Sequence, residues 1–257
     1  MADDRSLDQA VHITRDTLLA IERAAVLAWP ALETAAIDGW LWRHSGGGSQ
    51  RANSVSALDF TGNDPEAAID DIERRYRACG AAPMFQICDV NTPRDLDQRL
   101  HRRGYRLKEP CTCLAKAVSA SAIPAGVEAA DRPSEDWLAV YLAGITESRR
   151  GLAPQILARV PAPSAFLLAR DEGRPVATAL AFVAEGVVIA ECVMTTADRR
   201  RSGAATRVMR ALEAWGVRQG AKVAALQAVA ANAPAQGLYA KLDYERVGGY
   251  HYRVLDR

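Results

Sequence analysis

The sequence predicts a mixed α/β fold, an α+β arrangement around one sheet type with antiparallel and parallel neighbours. Three observations carry that expectation. Residues 165–170, 175–184 and 187–194 are strand-like apolar runs joined by the short turns Asp171-Glu172-Gly173 and Glu185-Gly186, which predicts an antiparallel meander. After them, helix-like and strand-like segments alternate to the end of the chain. The composition, 49% hydrophobic and 25% charged, is that of a globular protein with a sizeable core. At roughly 150 residues per domain, 257 residues make one large domain or two small ones.

Taken in order, Asp16 to Trp29 carries Leu18, Leu19, Ile21, Ala24, Ala25 and Leu27 at helical spacing, and Pro30 closes the helix. Trp40-Leu41-Trp42 and residues 54–58 read as strands around the turn 45–49. Pro65 to Cys79 is a helix with Asp64 as N-cap and Gly80 as its stop. Met84 to Cys88 is a strand. Pro93 to Arg103 is a helix opened by Thr92 and stopped by Gly104, and Tyr105 to Lys116 is a strand. The small residues, Pro124 and Gly126 of 117–126 mark a seam, giving units 1–118 and 127–257 with a linker at 119–126. Helices follow at 133–145 and 152–160, then the meander, a helix from Gly203 to Arg218, a strand at 222–229, a helix at 233–241 and a strand at 244–255.

Lys and Arg number 32 against 31 Asp and Glu, a net charge of +1 that argues against broad capture of nucleic acid or an anionic membrane. No apolar run reaches the ~18 residues that a membrane helix needs. The polar opening MADDRSLDQAVHITRD has no signal-peptide apolar region, so a cytoplasmic location is expected. The five cysteines (79, 88, 111, 113 and 192) lack a second pair at metal spacing, and buried free thiols without a metal are the expectation.

The most informative segment runs from Val193 to Thr206, where a strand enters the basic loop Arg199-Arg200-Arg201-Ser202-Gly203 and then a helix with small residues in its first turn. Such a turn aims several backbone N–H groups outward, and the helix dipole adds partial positive charge, so it suits a phosphate. A solvated basic helix start is the alternative. Gly46-Gly47-Gly48 is followed by Ser-Gln-Arg rather than Gly-Lys-Ser/Thr, so it is not a Walker loop. The loop at 199–203 has one glycine where a dinucleotide fingerprint needs three.

Arg200-Arg201-Ser202-Gly203-Ala204-Ala205 resembles the Arg/Gln-x-x-Gly-x-Gly/Ala signature of the GCN5-related N-acetyltransferase (GNAT) superfamily. Asn232-Ala233-Pro234-Ala235-Gln236-Gly237-Leu238-Tyr239-Ala240-Lys241-Leu242-Asp243-Tyr244 is similar to that family's Asn-x-x-Ala-x-x-Leu-Tyr-x-x-Leu-Gly-Phe element, with Asp243 in the glycine position. The resemblance is specific over about 165–250 and implies the acyl-CoA N-acyltransferase fold with acetyl-CoA as co-substrate. It further implies that Val193, Met194 and Thr195 offer backbone groups to the acetyl and pantetheine portions. Arg200, Arg201, Ser202, Gly203, Ala204, Ala205 and Thr206 would wrap the pyrophosphate, and Asn232 would touch the pantetheine arm. Tyr239 would protonate the departing thiolate as a general acid, since a phenol of ordinary pKa about 10 stays protonated at neutral pH.

An ammonium acceptor must also lose a proton, which at pH 7 costs roughly 4.6 kcal/mol for a pKa of about 10.4. Glu191, an isolated carboxylate in the apolar run 187–193, is the expected base and is read as sharing strand parity with Val193 and Thr195; a strand-edge carboxylate in a salt bridge is the alternative.

Leu100-His101-Arg102-Arg103-Gly104-Tyr105 echoes Tyr239 to Tyr244, so the first half reads as a degenerate GNAT-like copy with Leu100 where Tyr239 stands. The chain thus reads as two tandem GNAT-like domains. The tryptophans at 40 and 42 read as core, with Arg51 and Asn53 satisfying the turn or lining a cleft between the halves. Glu147 to Arg150 lies where the resemblance implies the acceptor site is shaped, or is an exposed charge cluster. The function expected is acetyl transfer to an amine-bearing small molecule or peptide, with neither nucleic acid nor membrane as partner. The alternative is a non-catalytic acyl-CoA-binding sensor or scaffold.

Overall fold

A computed structural model describes residues 13–256. The opening segment read for a signal peptide lies outside the described residues up to residue 12. In chain order the elements are α1 (Arg15–Ala28), β1 (Glu33–Ile37), β2 (Trp40–His44), β3 (Val55–Ser56), α2 (Pro65–Ala78), β4 (Met84–Cys88), α3 (Leu96–Arg102) and β5 (Arg106–Ala117). The second half contributes β6 (Val127–Ala130), α4 (Glu135–Gly144), α5 (Glu147–Arg150), α6 (Ala153–Leu157), β7 (Ser164–Asp171), β8 (Arg174–Ala184), β9 (Val187–Thr195), α7 (Ala204–Arg218), β10 (Val223–Val229), α8 (Ala233–Ala240) and β11 (Glu245–Val254).

Among the described residues, eleven strands join one mixed sheet in the order β1-β2-β3-β4-β11-β5-β10-β9-β8-β7-β6. The expected meander is β7, β8 and β9, antiparallel throughout, and β9 runs parallel to β10. The order also carries the internal repeat. A parallel strand pair joined through a helix (β3-α2-β4 and β9-α7-β10) is followed in each half by a helix and a long strand. Those two long strands are exchanged: β5, at the end of the first half, pairs with β10, while β11, at the end of the second, pairs with β4. β5 and β11 pair with each other at the centre, so hydrogen bonding crosses the sequence seam without a break. Asp97 of α3 secures the exchange, ion-paired with Arg253 of β11 at 2.7 Å and hydrogen-bonded to His251 at 2.8 Å.

Helix α7 covers one face of the second half, where Val208, Met209, Ala211 and Leu212 pack on the α7-facing side chains of β7, β8 and β9. On the other face, α4 and the first half's α1 lie side by side. Trp137 and Tyr141 pack on Phe166, Leu168 and Leu180, and Ile21, Ala24 and Ala25 pack on Phe182, Ile189 and Ala225. Helix α1 therefore serves the other half's sheet.

Several local expectations are sharpened. Strand β1 was not anticipated from its half-exposed Glu-Thr-Ala-Ala-Ile pattern, although Asp38 and Gly39, with φ of 47° and 86°, make the two-residue turn that pairs it to β2. Helix α3 starts at Leu96 rather than at 93, and the Thr92 hydroxyl bonds Leu58 O and Phe60 N instead of capping it. Strand β6 occupies 127–130, just past the linker. Asp243 does adopt the left-handed conformation, φ 63°, which stops α8 as glycine would.

Candidate active site

Strands β9 and β10 pair only from Val187↔Val223 to Ala190↔Leu226. Beyond that point each keeps its outer neighbour, β9 pairing β8 as far as Thr195 and β10 pairing β5 as far as Val229. The two strands thus part company at Glu191 and Gln227, and a cleft opens between backbone edges that have no strand partner. A β-bulge marks the start of the splay. Leu180 pairs Glu191 but Thr178 pairs Met194, and Cys192 takes φ 54°. The Thr178 hydroxyl donates to Cys192 O at 3.1 Å and fixes the bulge.

The bulge changes the parity of the strand. Glu191 lies opposite Leu180, on the face of α4 and α1, whereas Val193 packs into the core beneath α7. Glu191 and Val193 therefore do not share a face, contrary to simple alternation, because one extra residue is inserted between them.

Val193, Met194 and Thr195 line the unpaired edge of β9 past the bulge and are half-buried. The chain then makes a 3-10 turn at Ala197–Arg199, and Arg201 (φ 63°) and Gly203 (φ 86°) turn it into α7. Gly203 sits at the N-cap, with no side chain supplying a cap, and the N–H groups of Ala204, Ala205 and Thr206 have no acceptor among the described residues. Arg200, Arg201 and Ser202 are exposed around them. Open N–H groups, a helix dipole and exposed guanidinium groups fit a pyrophosphate. The equivalent helix of the first half differs. Asp64 caps α2, accepting from Glu66 N at 2.9 Å and Ala67 N at 3.2 Å, so a carboxylate already occupies the place of an anion.

Helix α8 brings Tyr239 to the cleft. Asn232 caps this helix through Oδ1, which accepts from Ala235 N at 3.2 Å, leaving its amide nitrogen unengaged. The exchanged strand β5 props α8 from below: Gln236 donates to the Thr112 hydroxyl at 2.7 Å, and Lys116 donates to Leu242 O at 2.9 Å. Tyr239 packs edge-on against Tyr244 at 6.0 Å, and Tyr244 is itself held by Glu213 at 3.0 Å. The Tyr239 hydroxyl has no partner among the described residues. Burial pushes its pKa up to about 12, and the Glu191 charge adds to the rise, so the phenol stays protonated as a donor. Leu100, its counterpart in the first half, is fully buried and has no hydroxyl to donate from.

On the opposite face the first half supplies the wall. Arg51 reaches across to Glu191 in a bidentate ion pair and also lies over the Trp29 ring at 5.8 Å. Burial works against the Arg51 charge, but the Glu191 carboxylate more than offsets it and holds the guanidinium well above its ordinary value. The Arg51 side chain is spent on Glu191 rather than on the turn, while Asn53 satisfies the turn through Ser45 N, Gly47 N and Ser49 O. Trp40 and Trp42 are core. In the 147–150 cluster, Arg150 bonds Leu142 O, and no residue of it joins the ion pair.

Glu22 was not singled out from the sequence. It is 5% exposed, and the Gln227 amide donates to both of its oxygens, at 2.9 and 3.0 Å. Burial raises its pKa to about 7 against the lowering effects of Gln227 and Arg51. A signal was present: Glu22 stands four residues after Leu18 and three before Ala25, on the apolar stripe of α1. Among the described residues no group of three or more His, Cys, Asp or Glu side chains is arranged to hold a metal ion.

Three comparisons set this chain beside known proteins. Residues 17–253 match the family model described as "Probable histone acetyltransferase Rv0428c C-terminal". The chain is 27% identical over 248 residues to the uncharacterized N-acetyltransferase YobR of Bacillus subtilis, covering 93% of this chain and 99% of that one. A GCN5-related N-acetyltransferase from Kribbella flavida superposes with a TM-score of 0.66 at 20% identity, covering 92% of this chain and 94% of that one. A tandem GNAT protein from the clavulanic acid biosynthesis pathway has a similar fold, with a TM-score of 0.58 at 11% identity over 77% of this chain and 72% of its own.

Proposed function

The chain belongs to the Rv0428c C-terminal acetyltransferase family, within the GNAT superfamily and its tandem architecture, and on that premise we propose that it moves an acetyl group from acetyl-CoA directly to an amine nitrogen. The observation that carries this reading is the splay beyond Ala190 and Leu226, with the open N–H groups of α7 at one end and the Tyr239 hydroxyl beside it.

In this reading, residues 200–206 hold the pyrophosphate through backbone N–H groups and arginine charge, while the free edge of Val193 to Thr195 and the Asn232 amide bind the pantetheine arm. Acetyl-CoA supplies an activated thioester. The acceptor enters from the face of α1 and α4, and its nitrogen forms the new C–N bond as the C–S bond breaks. An ammonium acceptor loses two protons overall. Glu191, directly or through water, takes one, and Tyr239 delivers the other to the leaving sulfur, being reprotonated from the new amide nitrogen. The bidentate pairing with Arg51 occupies both oxygens of Glu191 and favours a water between it and the amine.

One active unit is part of the proposal: residues 127–257 carry the chemistry, and the first half, with its Asp64-capped helix and Leu100, acts as wall and support. The test is release of CoA thiol with an amine panel, together with mass detection of the acetylated product. Turnover that is lost in Tyr239→Phe supports direct transfer with this acid. Tight acetyl-CoA binding with no acetylated product across the panel favours the sensor reading instead.

A further inference from the structure

Beneath the inner end of α1, one buried cluster carries more charge than the ion pair and Tyr239 require. Arg43 of β2 is 1% exposed, yet its partners are all neutral: Ser54 O at 2.8 Å, the Ser54 hydroxyl at 3.1 Å and Gln86 Oε1 at 2.8 Å. No carboxylate lies within ion-pairing distance of it among the described residues. A buried guanidinium is ordinarily matched by an anion. The charges of Arg43 and Arg51 both act on Glu22, and Arg51 and Glu191 form their own pair, so these groups share one environment.

The opposite need appears a few residues away. Gln227 spends its amide nitrogen on Glu22, and its Oε1 is buried with no donor. Gln50, next to Arg51, likewise gives its nitrogen to Glu109 and keeps a buried Oε1 without a donor. Orphaned acceptors of this kind mark a missing N–H or O–H group. A cavity of about 690 Å³ is lined by Cys88, Cys111 and Tyr250, which adjoin Glu22 and Arg51, and not by the cluster's charged groups themselves. The cluster therefore lacks an anion at Arg43 and donors at Gln227 and Gln50, and Gln227 stands where β10 leaves β9 at the head of the splay.

We propose that the acceptor is an amino carboxylate, a small molecule whose amine is received by Gln227 and Glu22 and whose carboxylate is received by Arg43. The inference rests on the acetyltransferase reading and narrows its substrate class. The pattern disfavours polycations, because a second ammonium would meet the buried guanidinium of Arg43. A planar carboxylate matches the guanidinium fork.

The test is a set of matched pairs given to the full-length wild-type protein with acetyl-CoA. Each pair is an amino acid and the amine left by removing its carboxylate, and spermidine, an aminoglycoside and a lysine-rich peptide stand as polycationic controls. The carboxylated member of each pair should be acetylated with kcat/KM at least tenfold above its partner and above the controls. Preference for the plain amines or the polycations overturns the proposal. Should no compound be acetylated, calorimetry on the CoA-saturated protein reads the same pairs. Selective binding of the carboxylated members supports the proposal, and absence of any binding overturns it. Failure of acetyl-CoA itself to bind would overturn the acetyltransferase reading instead, and the pairs titrated into the unliganded protein would still decide the cluster. In Arg43→Lys, which keeps the charge but loses the fork, KM for the amino carboxylate should rise tenfold or more while KM for acetyl-CoA stays unchanged. An unchanged acceptor KM in that folded variant counts against the carboxylate subsite.

Discussion

Arg51, in a turn of the first half, closes both of its terminal nitrogens on the carboxylate of Glu191, 140 residues later at the bulge of β9. The side chains are 16% and 8% exposed, so the pair joins the two halves in a largely water-free place. Breaking one partner of such a pair leaves an unmatched buried charge, a loss of about 3–5 kcal/mol. Glu191→Gln should therefore lower stability in urea denaturation by that order. The double variant Arg51→Met with Glu191→Met should lose clearly less than Glu191→Gln alone, and an equal or larger loss would show that the pair is not what stabilises this contact.

Tyr239 offers a cleaner separation of chemistry from binding. Its hydroxyl is unengaged and its ring is anchored by Tyr244, so Tyr239→Phe should leave the packing intact. Loss of a general acid costs on the order of 100-fold or more in kcat. Steady-state kinetics should show that fall with KM for acetyl-CoA unchanged, and circular dichroism should match the wild type.

Glu22 sets a pH dependence of stability. Its folded pKa, raised by burial to about 7, lies above its ordinary 4.5. The native state thus binds the proton more tightly than the unfolded chain does. The resulting stabilisation is full below pH 4.5 and is lost as pH rises toward 7, a change of about 3 kcal/mol. Glu22→Gln removes the titration, so its stability relative to wild type should improve as pH rises from about 5 to about 8. Thermal unfolding across that range checks the sign.

Asp97 acts in the opposite direction and at the exchanged strand. The hydrogen bond from Arg253, the largest effect, holds its pKa down at about 2 against the opposing effect of burial, and a weaker bond from His251 helps. Its contribution is present above the ordinary carboxylate value of 3.8 and is lost as pH falls toward 2. Asp97→Asn should loosen β11 where it pairs with β4, and amide exchange should accelerate at residues 250–254 ahead of the meander.

Much of this organisation was legible in residue patterns. The meander, the glycine turn into α7 and the helix bearing Tyr239 each depend on local spacing, and each forms within a residue or two of its expected bounds. The strand exchange was not legible, because β5 and β11 have equivalent places after equivalent helices and pairing partners are chosen by packing. The bulge at Cys192 uses no glycine, so nothing in the run 187–195 announced the change of parity. The Arg51–Glu191 and Glu22–Gln227 contacts span 140 and 205 residues, distances that a sequence pattern does not encode.

We propose a single cofactor cradle per chain, at the splay of β9 and β10, although the fold is duplicated. Isothermal titration of acetyl-CoA into the full-length protein tests it most directly. One molecule should bind per chain, and replacing both Arg200 and Arg201 with alanine should weaken that binding. Two equivalents per chain, binding indifferent to the double replacement, or no binding at all would contradict it.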